Sequence, residues 1–323
     1  MIFRDQAVPL ALVDQADRSF QITTQTRIDD LKASIPDIGL LNPPVLKERT
    51  QGYTIISGFR RIAACLTLQW PTIPSRIVPS QATPHDCALI AISANALERP
   101  LNLIEQSRAL NLLHAHGPPD TDLTKTADSL GLPVSSSIVR KIRSLKTLGA
   151  TTQNAILSGD ISLAMALELG RLDTVSAEVL TRLFSDLKLS LNKQREIIGY
   201  LKDICARDED SIPALLDQEG IQQLWASQDL DRTQKARRIR NWLHRKRFPE
   251  LSAVEKQFKE QLTKLKLGQG IDLQPPRDFE GSTFRLTAAV SQPEDLDRLQ
   301  TIIKQIRRNK ILEAILAKKF KNN

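Results

Sequence analysis

Gly58, Arg60 and Arg61 are the residues of this chain whose types and spacing best suit a ligand. They lie in residues 53–70, YTIISGFRRIAACLTLQW. The β-branched and aromatic run from Tyr53 to Ile56 predicts a strand, and Ser57-Gly58 ends it. From Phe59 the period changes, with Phe59, Ile62 and Leu66 at helical spacing. The expected unit is strand, tight glycine turn, helix. A helix start carries unpaired N–H groups and a partial positive charge, so it attracts anions. Two cations in that first turn are unfavourable unless an anion is brought in. Arginine binds phosphate bidentately, so the stretch predicts a phosphate site. The plainer alternative is a pair of surface arginines after an ordinary turn.

A second constellation lies at residues 122–149. Two short helices are predicted around Gly131-Leu132-Pro133. The first runs from Thr124 to Leu130, with Ala127 at the tight packing position. The second buries Ile138, Ile142 and Leu145. Its remaining positions include Ser135, Ser136, Ser137, Arg140, Lys141 and Arg143, with no acid among them. A helix-turn-helix has this layout: the start of its second helix reads base edges and its charges meet phosphates. Lys125 and Thr126 on the first helix complete the expected DNA-binding set. A plain helical hairpin with a soluble face is the alternative.

The elements around these sites follow from pattern. Residues 8–13 (VPLALV) predict a strand, and Ile28, Leu31, Ile35 and Ile38 predict a helix stopped by Gly39. Further strands are expected at Val45 to Lys47 and Ile73 to Pro79, and helices from Pro84 to Leu97 and across residues 101–117. Beyond the helix-turn-helix, short helices flank Gly159-Asp160, and helix continues to about Arg207. A basic amphipathic helix is expected over 229–247 and another over 251–267. Residues 268–276 read as a Gly- and Pro-rich linker. A strand over 283–290 and a long helix over 294–320 close the chain. A lone strand and an uncovered apolar stripe require a partner, and a second copy is the economical one.

The bulk numbers agree with this helix-rich reading. The chain has 323 residues, 41% hydrophobic but only 4% aromatic, and 3 cysteines without a CxxC pair. Neither a disulfide framework nor a zinc site is indicated, and a reduced cytoplasmic protein is expected. No apolar run is long enough for a bilayer, and no signal pattern opens the chain. Residues 232–323 hold 22 Lys and Arg against 10 Asp and Glu, while the rest holds 23 against 27. That asymmetry predicts a polyanion-binding end.

The order of these parts resembles the ParB-type partition proteins, within the ParB/sulfiredoxin-like superfamily. Four segments carry the resemblance: Gly39-Leu40-Leu41-Asn42-Pro43-Pro44-Val45, Gly58-Phe59-Arg60-Arg61, Asn95 with Leu101-Asn102-Leu103-Ile104-Glu105, and Gly159-Asp160-Ile161-Ser162 after the helix-turn-helix. It implies an α+β chain in four parts. Residues 1–100 would form a small mixed α/β nucleotide-binding domain and 101–207 an all-helical DNA-binding domain. Residues 208–276 would form a basic helical region and linker, and 277–323 a βα dimerisation unit. It also implies a cytidine triphosphate (CTP) with Mg2+ at Gly39, Gly58, Phe59, Arg60, Arg61, Asn95 and Arg99. The implied function is that of a nucleotide-gated clamp on double-stranded DNA, as a homodimer at the nucleoid, engaging a ParA-type ATPase. Phe59 stands where the family has a glutamate, Ala94 where it has an acid, and Glu98 where it has an arginine, with Arg99 one position off. Fewer carboxylates leave a hard cation fewer ligands, so binding is expected and turnover is slow or absent. Two other functions share the same residues: a helix-turn-helix transcriptional regulator, and a nucleotide-hydrolysing or phosphotransfer enzyme.

Overall fold

The computed structural model describes residues 2–118, 123–132, 135–268 and 270–317. Pro133 of the expected turn and Phe320 at the expected end of the last helix lie outside them. The chain divides into two compact units, residues 1–194 and 195–323.

The first unit begins with β1 (Arg4–Pro9), β2 (Val13–Asp14), α1 (Asp29–Ile38), β3 (Val45–Glu48), β4 (Tyr53–Ser57), α2 (Phe59–Thr67), β5 (Thr72–Val78) and α3 (Pro84–Ala96). The strands form one sheet in the order β1-β5-β3-β4-β2. Its β5–β3 and β4–β2 pairs are parallel, and its β1–β5 and β3–β4 pairs antiparallel. Parallel neighbours need crossovers, which is why helices alternate with strands here. The strand expected over residues 8–13 is interrupted. Pro9 has no N–H to extend the ladder, so Leu10–Leu12 form a 3-10 turn before β2.

Every residue of β4 is buried, because both sheet faces are covered. Side chains of a strand alternate between faces. Ile55 joins Leu46, Ile73 and Ile77 in a core closed by Ile35, Phe59, Ile62 and Cys65. Ile56 joins Val78 in a second core with Cys87 and Ile92 of α3. This second core runs on without a break into the helices that follow.

Those helices are α4 (Leu103–His116), α5 (Leu123–Ser129), α6 (Ser136–Arg143), α7 (Ala150–Leu157), α8 (Leu163–Leu169), α9 (Thr174–Leu187) and α10 (Leu191–Asp208), and the unit boundary falls within α10. Leu110 and Leu113 of α4, Ala127 of α5, and Val139 and Ile142 of α6 share the Ile56 core. Gly131, at φ 67°, ends α5. Its N–H bonds to Asp128 O and that of Leu132 to Ala127 O, a Schellman-type cap. The buried face of α6 is Val139, Ile142 and then Leu145, whereas Ile138 is 42% exposed. Ile142 and Leu145 are buried as expected, and only at the first position does Val139 take the place expected for Ile138.

The second unit contains the remainder of α10, α11 (Ile212–Leu216), α12 (Glu219–Ala226), α13 (Arg232–Arg247), α14 (Pro249–Leu265), β6 (Ile271–Gln274), β7 (Arg285–Ala288), α15 (Glu294–Ile306) and α16 (Lys310–Leu316). The stretch read as a linker supplies β6, which pairs antiparallel with β7. The terminal strand thus finds its partner within the chain. The expected long helix breaks at Asn309, whose side chain caps α16 by accepting from Ile311 N at 2.9 Å. Phe258, Leu265, Leu273, Ile306 and Ile315 form the core beneath these elements. Leu296 and Ile303 remain exposed.

Ile56→Ala is expected to cost about 2–5 kcal/mol, because it opens a cavity where the sheet meets α3 and α4. The control, Leu296→Ala, should change stability by about 0.5 kcal/mol or less. Denaturant midpoints of the full chain measure both.

Candidate functional site

The predicted turn is present, and sterics fix its sequence. Gly58 has φ 96°, and a Cβ there would sit 2.6 Å from Pro44 Cβ. Only glycine fits this left-handed bend against its neighbour. The bend starts α2 without any side-chain cap, so the first N–H groups of α2 have no intrahelical partner. A cavity of about 240 Å³ opens at this point, lined by Gly58, Phe59, Arg60, Arg61, Asn42, Ala94, Asn95, Glu98 and Arg99 among others. A second cavity of about 420 Å³ has Thr23, Gln25, Phe59 and Arg60 in its lining as well.

The two arginines differ in their partners. Arg60 donates from Nε to Arg27 O at 2.7 Å and from Nη1 to Gln25 Oε1 at 3.2 Å. Its Nη2 meets both Asp30 carboxylate oxygens, at 2.8 and 2.9 Å. That bond holds the Asp30 carboxyl below its ordinary value. Among the described residues Arg61 donates to the carbonyls of Asn42 (2.6 Å) and Pro43 (3.3 Å). Burial pushes its guanidinium below the usual range. Glu98, on the wall of the same cavity, favours the Arg61 charge without a hydrogen bond to it, so this partly desolvated cation is the arginine of the pocket least matched by a direct partner.

Phe59 is buried in the α2 core, with the Arg18 guanidinium 5.6 Å from its ring centre. Asn95 Nδ2 is spent on Ala91 O at 2.8 Å. Gly39 caps α1 and is not among the residues lining the cavity. Arg99 lines the cavity, but its charge is already matched. Its Nη1 and Nη2 lie 2.7 and 2.8 Å from the two Glu105 oxygens. Cys65 and Cys87 are fully buried, and burial pushes both thiols up, so neither offers a thiolate.

Glu105 has no exposed side-chain surface. Burial alone would push its carboxyl up. The Arg99 fork and the N–H groups of Thr24 (2.9 Å) and Asn102 (3.2 Å) outweigh that and hold it at about 2. Asn102 and Glu105 also form a reciprocal capping box that starts α4. One carboxylate thus joins the loop before α1, the end of α3 and the start of α4. Arg108, one turn along, donates to Thr23 O at 2.8 Å and strengthens the same junction.

The candidate DNA face lies on α5 and α6. Ser135, Ser136, Ser137, Arg140 and Lys141 are exposed together, with Lys125 exposed and Thr126 half-buried on α5. Arg143 stands apart: it is half-buried, and its carbonyl accepts from Ser107 Oγ (3.3 Å) and Asn111 Nδ2 (3.0 Å) of α4. The helix whose first turn holds Glu105 therefore also grips the end of α6.

Residues 6–94 match the family described as the ParB N-terminal domain. A nucleoid occlusion protein of Shouchella clausii (strain KSM-K16) is 33% identical over 162 residues, 49% of this chain and 55% of that protein. The probable chromosome-partitioning protein ParB of Helicobacter pylori (strain ATCC 700392 / 26695) is 27% identical over 184 residues, 56% of this chain and 61% of that protein. The chain spans about half the length of the curated relatives it matches. C-terminally truncated ParB from Caulobacter crescentus, complexed to the centromeric parS site, covers 58% of this chain and 96% of its own length at 19% identity and a TM-score of 0.34. The same protein complexed with CTP-gamma-S gives 21% identity over 56% of this chain and 98% of its own length, with a TM-score of 0.25.

The ParB-type resemblance read from the sequence therefore holds. Reading the sequence missed Gln25 and Asp30, which hold Arg60 from 30 or more residues away. No local pattern signals them. Glu105 was named only within a motif, although Asn102-x-x-Glu105 is a capping pattern visible in sequence.

The Glu105 carboxyl titrates near 2 when folded, against an ordinary value of 4.5. A depressed carboxylate contributes stability that is fully present above about pH 4.5 and lost as the pH falls toward 2. Glu105→Gln should lower stability by about 3 kcal/mol at neutral pH. It should also flatten the acid side of the profile in that window. Thermal melts from pH 7 down to pH 2 measure both effects.

Proposed function

We propose that this chain is a DNA-binding protein of the partition or nucleoid-occlusion kind, and that its ParB-type domain binds cytidine triphosphate with Mg2+. The observation that carries the nucleotide reading is the Gly58 turn. It gathers the uncapped N–H groups of α2 and the Arg61 guanidinium, whose hydrogen-bond acceptors among the described residues are carbonyls, at one cavity. The choice of cytidine comes from the family resemblance. The metal would neutralise phosphate charge. With Phe59 in the core and Ala94 at the wall, it would be held mainly by the phosphates, so turnover is slow or absent.

The α6 surface supports DNA recognition. Arg140 and Lys141 stand ready for phosphates or base edges, and the exposed Ile138 suits a thymine methyl. The relatives' names, nucleoid occlusion and chromosome partitioning, support the same reading. The four-part division at residues 100, 207 and 276 belongs to this proposal, as do the homodimer and a ParA-type partner. The exposed Leu296 and Ile303 on α15 support the dimer. Among the described residues no helix is long and apolar enough to cross a membrane.

Calorimetry of the full chain with each nucleoside triphosphate and magnesium tests the pocket. Cytidine triphosphate should bind in the micromolar range or weaker, and Arg60→Ala/Arg61→Ala should abolish binding with the fold retained. Equal binding of all four that disappears with salt would leave a generic basic patch. Arg140→Ala tests α6: it should weaken a selected DNA site by about 1–3 kcal/mol more than random DNA. Equal loss on both would reduce Arg140 to a phosphate contact.

A further inference from the structure

α13 carries eight Lys and Arg and no Asp or Glu in 16 residues. Seven of these cations fall into two groups, and the eighth, Arg232, is exposed at the first residue of the helix. Arg240 bonds Glu196 (2.6 Å) and Arg247 bonds Asp203 (2.5 Å), both on α10. Lys235 Nζ donates to Trp225 O (2.9 Å), and Lys246 Nζ donates to Gln218 Oε1 (2.8 Å) and lies over the Trp242 ring. Arg247 also stacks on Phe248, 4.0 Å from its ring centre. These four cations, with buried Ala236, Ile239 and Leu243, fasten α13 to its surroundings. The Asp231/Gln234 capping box fixes its start.

Arg237, Arg238 and Arg245 form the other group. All three are exposed. Among the described residues none makes a hydrogen bond, ion pair or ring contact. At 100° per residue they fall with Gln234 and Asn241 on one arc of about 100°, opposite the buried Leu243. Arg237 and Arg245 are about 12 Å apart along the axis at 1.5 Å per residue. The result is a straight, rigid row of guanidinium and amide groups with no acid between them.

We propose that this outward face of α13 binds the phosphate backbone of duplex DNA without regard to sequence, as a second contact independent of α6. Duplex DNA presents one charge per about 1.7 Å of axis, so a row of about 12 Å always meets several phosphates. Each guanidinium can take one bidentately. The chemistry of the face disfavours other polyanion carriers. A protein interface would need a buried apolar or aromatic anchor, and the arc has none. A bilayer surface would need an apolar face to insert, and that of α13 is already buried in the unit.

The test uses the full chain, a labelled random-sequence duplex and fluorescence anisotropy over a salt series. Arg237→Gln/Arg238→Gln/Arg245→Gln should weaken binding about tenfold or more at low salt. The slope of log affinity against log salt should flatten by about 2–3, as each lost phosphate contact removes about 0.9. The corresponding triple change to Lys should keep most of the slope. Equal melting temperatures of the three proteins show that the fold is unchanged. Unaltered affinity and slope in the Gln variant overturn the proposal, as does a Lys variant that loses as much as the Gln variant. Loss confined to phosphatidylglycerol vesicles or to polyglutamate also overturns it. Arg140→Ala in the same assay reports on α6 alone, so the two DNA assignments fail separately.

Discussion

The first unit depends on a buried carboxylate that stays ionised. Glu105 is removed from water yet held at about 2, because five donors converge on it: the Arg99 fork, the N–H groups of Thr24 and Asn102, and the Thr24 hydroxyl. An unpaired buried charge would cost several kcal/mol, so the site exists only when all its partners are in place. Those partners come from three different segments. The cost of ordering the loop before α1 is met at this junction, and the same loop supplies Gln25 and Arg27 O to Arg60.

Two consequences follow for function. Arg99 lines the cavity at Gly58, but its charge is matched by Glu105, and that of Arg60 by Asp30, so Arg61, whose hydrogen-bond acceptors are carbonyls, is the arginine best placed for an anion. The helix capped by Glu105 also carries Ser107 and Asn111, which hold the end of α6. The wall of the candidate pocket and the candidate DNA helix are therefore both attached to the first two to three turns of α4, at Glu105 and at Ser107 and Asn111. A ligand that pulls on Arg60 would act against the Asp30 bond and the loop held by Glu105. Such shared attachment to one rigid element is a physical route by which one site can bias another.

The sequence shows the local parts of this arrangement and hides the long-range ones. The strand-turn-helix at residues 53–67 is legible because its period changes at a glycine, and the structure places both ends where the pattern does. The Gly131 cap is legible for the same reason. Periodicity failed where a short helix leaves the buried face ambiguous, as at Ile138 and Val139. It also failed where a Gly- and Pro-rich composition masks a four-residue strand, as at β6. The pairing of Arg60 with Asp30 and of Glu105 with Thr24 spans 30 and 81 residues. Nothing local encodes such contacts, and they decide which candidate arginine is available. The basic character of α13 was plain in the sequence. Which of its cations are spent and which are free was not.

The central claim is that the Gly58 pocket and α6 are linked through α4. Hydrogen exchange of the full chain, with and without cytidine triphosphate and magnesium, tests it most directly. The account predicts slower exchange at residues 58–62 and in the loop over residues 20–28, together with a change along α4 and at the end of α6. Protection confined to residues 58–62, with α4 and α6 exchanging as before, would contradict it.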